Sequence, residues 1–403
     1  MYDAIIVGAR CAGSPTAMLL SRKGYKVLLL DKATFPSDTI STHIVLIPGT
    51  VRLKRWGLLD KIYASGSRAI KTLVMDNGFF ALEGTPPPFE GTSDIVTPRR
   101  IVLDKILVDA AVEAGAELRE GCSVEEVITD GDRVIGVRCH TKGGPTVVEK
   151  ARIVIGADGR NSLVARAVKA TEYNTKPAQT AWYYTYWSNV PIDALSFYLA
   201  PNRAIGFIPT DNGQVCIPII WPHSEFHAYR SDIEGNYMKT FELVPKLAEM
   251  MRDATREERF VGMSELPGFY KKSYGPGWAL VGDAGYHRDP MTGQGISDAM
   301  TGAEVLAEAL DAGFSGREEL DIALQRNEQH RDISTAPMYE MTAEWASLQP
   351  PPQEMQQLML ALRDNQEQTD RFMGTISGSI PIPEFFSPEN IGRIMQRVEV
   401  PEV

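Results

Sequence analysis

The strongest constraint on this chain lies at its start, where the apolar run Ile5-Ile6-Val7 stops at Gly8 and small residues follow, Ala9, Cys11, Ala12 and Gly13. Ser14 to Leu20 then carries helical spacing, and Val27-Leu28-Leu29-Leu30 ends on Asp31, 23 residues after Gly8. The order is strand, tight turn, helix, strand, the outline of a βαβ nucleotide-binding unit. Gly8 permits the turn, Gly13 lets helix and strand approach closely, and free N–H groups at the helix start suit a pyrophosphate. Asp31 suits a ribose hydroxyl. Arg10 stands where the pattern expects a second glycine, so its guanidinium either meets the diphosphate or points to solvent. Taken alone, the stretch predicts a dinucleotide site and leaves the dinucleotide undecided.

A unit of this kind occupies only part of 403 residues, which allow two or three domains. The formal charge of -11, with no basic block, disfavours nucleic acid or an anionic membrane as partner. No window approaches the ~20 apolar residues of a membrane span, and Tyr2-Asp3 stands where a signal peptide would be basic. A cytoplasmic protein is expected. Its four cysteines, Cys11, Cys122, Cys139 and Cys216, are far apart and read as buried free thiols. No metal site is expected, and the oligomeric state is not legible.

Further along, Thr50 to Gly57 has helical spacing, and Leu73 to Ala81 reads as a hairpin with a primed turn at Asn77-Gly78. Leu103 to Ala114 is helical, closed by Gly115. Val124 to Ile128, Val134 to Cys139 and Val147 to Ala151 form a meander that leads into the buried strand Ile153-Val154-Ile155-Gly156 and the turn Asp158-Gly159. Residues 179 to 222 are dense in aromatics and predict a separate antiparallel sheet, with some aromatics in its core and a few lining a pocket for a flat apolar molecule. Residues 235 to 258 read as helix. The strand from Trp278 ends at Gly282-Asp283, and a glycine-rich loop through Pro290, Gly293 and Gly295 opens a helix with Ile296 in its first turn. From about residue 318 the chain is helical with a break at Pro350-Pro351-Pro352, and the apolar segment Ile380 to Phe386 should pack back on the protein.

Three turns in this order, Gly8 to Gly13, Asp158-Gly159 and Gly282-Asp283, resemble the FAD-dependent group A monooxygenases, the p-hydroxybenzoate hydroxylase-like flavoproteins, whose relatives include geranylgeranyl reductases and flavin halogenases. The resemblance covers roughly residues 1 to 310. It implies an α/β fold: a discontinuous Rossmann-like FAD-binding domain (1–70, 98–168 and 275–310), an antiparallel β-sheet substrate domain (71–97 and 169–274) and a C-terminal helical region (311–403). It also implies FAD as cofactor, held by Gly8, Arg10, Cys11, Ala12, Gly13, Asp31 and Lys32 at the first motif, and by Arg100, Asp158, Asp283, Pro290, Gly293, Gly295 and Ile296 around the ribityl chain and ring. The helix opening near Gly293 to Gly295 would direct its positive end at the ring edge that gains charge on reduction.

The reaction so implied is hydroxylation of an aromatic or polyketide-like small molecule with NAD(P)H and O2, through a flavin C4a-hydroperoxide. No general acid or base is assigned. His43, Tyr184, Tyr186, Phe207 and His223 are the candidate substrate-pocket residues, with a structural loop histidine as the competing reading of His43. Two alternatives stay open. One is an alkene reductase of the geranylgeranyl type, which Gly206-Phe207-Ile208-Pro209 partly resembles. The other is a non-catalytic module that carries an apolar ligand. A halogenase is less favoured, because no Trp-x-Trp-x-Ile-Pro occurs.

Overall fold

The computed structural model describes residues 1–396. Its first eight-stranded sheet grows around the strand Tyr2–Val7, which pairs in parallel with Val27–Leu30 on one side and with Thr146–Gly156 on the other. Trp278–Leu280 and Glu117–Arg119 extend the parallel core outwards. Residues buried on both faces, Ile5, Ile6, Leu28, Leu29, Val154 and Ile155, explain the unbroken apolar runs. The helices Gly13–Arg22, Arg100–Glu113 and Gly295–Phe314 cover one face through Met18, Leu107 and Met300.

Thr146–Gly156 is one strand, where the sequence reading expected a meander strand and then a separate one. Its first half pairs antiparallel with Arg133–Thr141, and its second half runs parallel to Tyr2–Val7. A single strand can do both because nothing in Ala151-Arg152 breaks the extended backbone.

The second eight-stranded sheet contains Thr180–Ser188, Val215–Pro222, Arg203–Pro209 and Leu195–Ala200, antiparallel in that order. Leu73–Asp76 joins it by pairing in parallel with Leu195–Ala200. The hairpin from Leu73 exists, its strands ending at Asp76 and resuming at Ala81, and the Asn77 N–H bonds the Phe80 carbonyl at 3.2 Å, so the tip is Gly78-Phe79 and not Asn77-Gly78. Gly78 takes the positive φ, Asn77 Oδ1 accepts from the N–H groups of Phe79 and Phe80, and Phe79 is left 96% exposed.

Helix expected over 235–258 stops earlier. It forms as Ile233–Glu242 and Pro245–Met250, because Pro245 starts a new first turn, and the chain is extended by Thr255–Arg256. A small third sheet joins Glu172–Lys176, Gly268–Lys271 and Tyr286–His287. The C-terminal helices include Leu320–Ala346 and Gln353–Arg363, and Phe385 packs fully buried against Phe372, as its apolar segment required. The four cysteines are buried and unpaired.

Candidate functional site

The two parallel-sheet turns meet tightly. Gly8 has φ +103°, and a Cβ there would sit 2.4 Å from the Ala157 carbonyl oxygen; a Cβ on Gly13 would sit 1.8 Å from the Gly8 oxygen. No other residue type fits either position without moving the backbone. Asp31, 8% exposed at the end of the second strand, accepts from the N–H groups of Ala9 at 2.7 Å and Ala33 at 2.8 Å. It therefore holds the turn's shape as well as facing the groove that a ribose would use.

Next to the turn, one fully buried carboxylate gathers two cations. Asp104 receives Arg10 Nη1 at 2.5 Å and a bidentate pair from Arg100, Nε and Nη2 at 3.0 Å each. The Cys11 thiol approaches the same carboxylate at 3.4 Å, and burial pushes that thiol well above its ordinary value. Arg10 is thus neither free in solvent nor unpartnered, though it stays at the cavity wall and also donates to Ser37 Oγ at 2.8 Å.

A continuous cavity of about 820 Å³ runs from this turn. Gly8, Arg10, Cys11, Ala12, Asp31 and Lys32 line one end, and Arg100, Asp158 and Asp283 its middle. Pro290, Gly293, Gly295 and Ile296 follow, so of the expected cofactor contacts only Gly13 does not line the cavity; it shapes the turn behind the wall. Asp158 caps the helix Leu163–Ala167 through Oδ2, accepting from Leu163 N–H at 2.6 Å, while its Oδ1 and the neighbouring Arg160 Nη1 are buried without a partner. The helix Gly295–Phe314 has no side-chain cap, and its first residues, Gly295 and Ile296, line the cavity. These features fit FAD: one cavity lined by all three turns, close backbone approach at Gly8, unsatisfied polar atoms at Asp158 and Arg160, and an uncapped helix start.

At that far end the wall becomes apolar and is formed by Ile44, Trp182, Tyr184, Met263 and Leu266. Strand parity decides which aromatics reach it. In Thr180–Ser188, Tyr183 and Trp187 face a layer containing Tyr229, Tyr237 and Phe241, whereas Trp182, Tyr184 and Tyr186 face the other way. Phe207 shares the helix-side face with Ile205 and packs on Tyr198 and Phe241, so it lies in the sheet's own core and not at the cavity. His223 lies beyond the end of its strand, half exposed and 3.8 Å from Glu265, also away from the cavity.

Tyr184 lines the cavity and accepts the Ser41 N–H at 3.2 Å. Tyr186 sits one layer behind, its hydroxyl 2.5 Å from His43 Nε2 and its ring 4.0 Å beneath the Arg99 guanidinium. His43 is fully buried at φ +65°, with Nδ1 unpartnered. Burial, reinforced by the positive charges of Arg100 and Arg99, lowers its titration to about 3, so it is neutral at physiological pH. His43 and Tyr186 brace the loop whose neighbours Thr42 and Ile44 touch the cavity.

Sequence reasoning passed over Trp182, Asp104 and Asp289. Asp289 is buried at the wall beside Pro290; burial raises its titration to about 7, against hydrogen bonds from Thr180 and the Met291 N–H. An acid immediately before Pro290 in the glycine-rich loop was the available signal, and only the fold reveals that it is buried at the cavity wall.

Comparison with known proteins agrees with this geometry. Residues 1–336 match the family described as FAD binding domain, and the chain belongs to that family. It is similar to digeranylgeranylglycerophospholipid reductase 2 of Methanopyrus kandleri, 29% identical over 77% of this chain and 78% of that one. It is also similar to conditioned medium factor receptor 1 of Dictyostelium discoideum, 26% identical over 83% and 67%. Among solved structures, the flavin-dependent brominase Bmp2 shares the fold with TM-score 0.81 at 18% identity, covering 99% and 98% of the two chains. PqsL, a probable FAD-dependent monooxygenase from Pseudomonas aeruginosa, superposes with TM-score 0.72 at 20% identity over 93% and 98%. The protein is a member of this family of FAD-dependent oxidoreductases; a reductase is among its similar proteins, and a brominase and a probable monooxygenase share its fold. Among the described residues no helix is long and apolar enough to cross a membrane.

Proposed function

We propose that this flavoenzyme hydroxylates an aromatic or polyketide-like small molecule, taking electrons from NAD(P)H and oxygen from O2. The observation that carries the reading is the continuity of one cavity from Asp31 to Trp182 and Tyr184, which opens the cofactor groove directly onto an aromatic-walled chamber. Bound FAD supplies the two-electron and oxygen chemistry. The chain supplies position and dryness. Gly8 and the helix start at Gly13 receive the diphosphate together with the cations held on Asp104. Asp158 and Asp283 offer acceptors for hydroxyl groups of the ribityl chain. The uncapped start of Gly295–Phe314 would stabilise negative charge gained by the ring on reduction. Trp182, Leu266 and Met263 exclude water from the reacting end.

A second reading, an alkene reductase, is favoured by the likeness to the Methanopyrus kandleri reductase. The purified yellow protein decides between them. Aromatic compounds that stimulate NAD(P)H oxidation and acquire label from ¹⁸O₂ support hydroxylation, whereas saturation of an isoprenoid alkene without oxygen supports the reductase. Protein that retains no FAD, and whose fluorescence is unmoved by FAD titration, would falsify both.

A further inference from the structure

The apolar end of the cavity holds one carboxyl group that nothing in the cofactor groove uses. Asp289 is 8% exposed and lies between Arg288 and Pro290 on the wall that also carries Trp182 and Leu266. Its Oδ2 accepts the Thr180 hydroxyl at 2.5 Å, and its Oδ1 accepts the Met291 N–H at 3.0 Å. Thr180 in turn accepts the Trp182 indole N–H at 2.7 Å, so carboxyl, hydroxyl and indole form one chain along the chamber wall. A carboxylate offers about four acceptor sites, and these two protein bonds leave the others for a ligand.

Among the described residues no counter-ion sits on this carboxyl. Arg288, adjacent in sequence, turns its Nη2 to Asp298. Lys176, across the small cleft behind Asp289, is paired with Glu340 at 2.8 Å. Burial accordingly dominates its behaviour and raises its titration to about 7. An unpaired carboxyl in an apolar wall is costly to the fold, and such groups concentrate where a ligand meets the protein.

We propose that Asp289 is the polar anchor of the chamber, and that the substrate is an apolar ring or chain whose buried polar group is an O–H or N–H donor, neutral or cationic, and not a carboxylate or phosphate. The proposal deepens the reading of the chamber as the substrate site and rests on it. A hydroxyl or ammonium docked there satisfies the free acceptor positions of Asp289. An anion meets an unscreened like charge in a low-dielectric wall.

Three probes of one shape test this on the FAD-loaded enzyme: naphthalene, 2-naphthol and 2-naphthoate, titrated at pH 8 while the flavin absorption band and tryptophan fluorescence are followed. Tryptophan fluorescence reads the chamber through Trp182 even in protein that holds no FAD, which separates failure of this proposal from failure of the flavoenzyme reading. 2-Naphthol should bind about tenfold or more tightly than naphthalene, the scale of a hydrogen bond to a charged acceptor, and 2-naphthoate no more tightly than naphthalene. Asn at 289 keeps an acceptor for the Met291 N–H and removes the charge. Asp289→Asn should therefore reduce the 2-naphthol preference to within about threefold and strengthen 2-naphthoate binding. The proposal is overturned if the wild-type enzyme ranks 2-naphthoate first, if 2-naphthol gains nothing over naphthalene, if no probe perturbs either signal, or if Asp289→Asn leaves the ranking unchanged.

Discussion

Replacing Asp289 by Asn should make the protein's stability rise relative to wild type as the pH increases, a direction opposite to that expected for a salt-bridged aspartate. The folded carboxyl titrates at about 7, and its ordinary value is 3.8. Between those limits the native state holds a proton that the unfolded chain has released, so wild-type stability is lost as pH rises through that window and the loss levels off above about 7. With both states ionised the cost is about 4 kcal/mol at 1.36 kcal/mol per pH unit. Part of it is already present at pH 5, so between pH 5 and pH 8 the cost grows by about 3 kcal/mol. Asn has no such titration; its amide oxygen keeps the Met291 N–H bond, and its amide nitrogen donates to the Thr180 hydroxyl oxygen in place of accepting from it, a change that does not vary with pH. Urea unfolding of both proteins with saturating FAD, followed by tryptophan fluorescence at pH 5, 6.5 and 8, measures the difference. Subtracting wild type from variant at each pH removes every other titrating group. The variant should gain about 3 kcal/mol on wild type from pH 5 to pH 8. A difference that is flat with pH, or one that moves against the variant as pH rises, refutes the account of Asp289 as an unpaired buried carboxyl.

Other substitutions separate the roles of neighbouring residues. Gly13→Ala forces a Cβ to 1.8 Å from the Gly8 oxygen, so it should lower stability by more than about 2 kcal/mol and lose FAD on gel filtration. Gly295→Ala has no protein atom within 4 Å of its new Cβ, and helix propensity favours it; FAD affinity should fall while the unfolding midpoint of the flavin-free protein holds or rises. Arg10→Ala leaves Asp104 with both Arg100 bonds and should cost at most about 1 kcal/mol of stability. It should also weaken FAD binding several-fold with a shallower salt dependence; an unchanged Kd and salt slope remove Arg10 from the diphosphate site. Tyr186→Phe strips the partner from His43 Nε2 where Nδ1 already lacks one, and should destabilise by about 1–3 kcal/mol in thermal unfolding at pH 7. In wild type the lowered His43 titration means stability is lost as pH falls from 6.5 towards 3, since the unfolded chain takes up the proton first.

The cofactor half of the site was legible because its chemistry is local. A glycine turn with φ +103° at Gly8, an acid at the end of the next strand and a loop that starts a helix each leave their mark within a few residues. The substrate half was not legible, because it depends on which sheet face receives helices. Tyr184 and Phe207 are both strand aromatics in the same sheet, yet only Tyr184 reaches the cavity, since the layer with Phe241 and Leu247 settled on the side of Phe207. Nothing in the strand sequences fixes that side. His43 illustrates the same limit from the loop: its contact, Tyr186, is 143 residues away.

The diphosphate end shows how a non-local contact changes the chemistry of residues that sequence had identified individually. Arg10 read as a guanidinium that either meets the diphosphate or points to solvent, and Arg100 as a separate contact near the flavin. In the folded protein both are bound to Asp104, so together the three side chains present one net positive charge. A dinucleotide diphosphate carries about two negative charges, and the remainder of its field is available from Lys32 on the same cavity wall, from backbone N–H groups at Gly13 and from the partial charge of that helix start. That division has a structural consequence. Asp104 fixes the directions of both guanidinium groups before any ligand arrives, which lowers the entropy lost on binding, and it does so from a side chain with no exposed surface. Asp104→Asn would therefore add net positive charge and yet weaken FAD binding, because the two arginines would lose their common anchor. Tighter binding in that variant would mean that charge, and not the orientation of Arg10 and Arg100, limits affinity at this end of the groove.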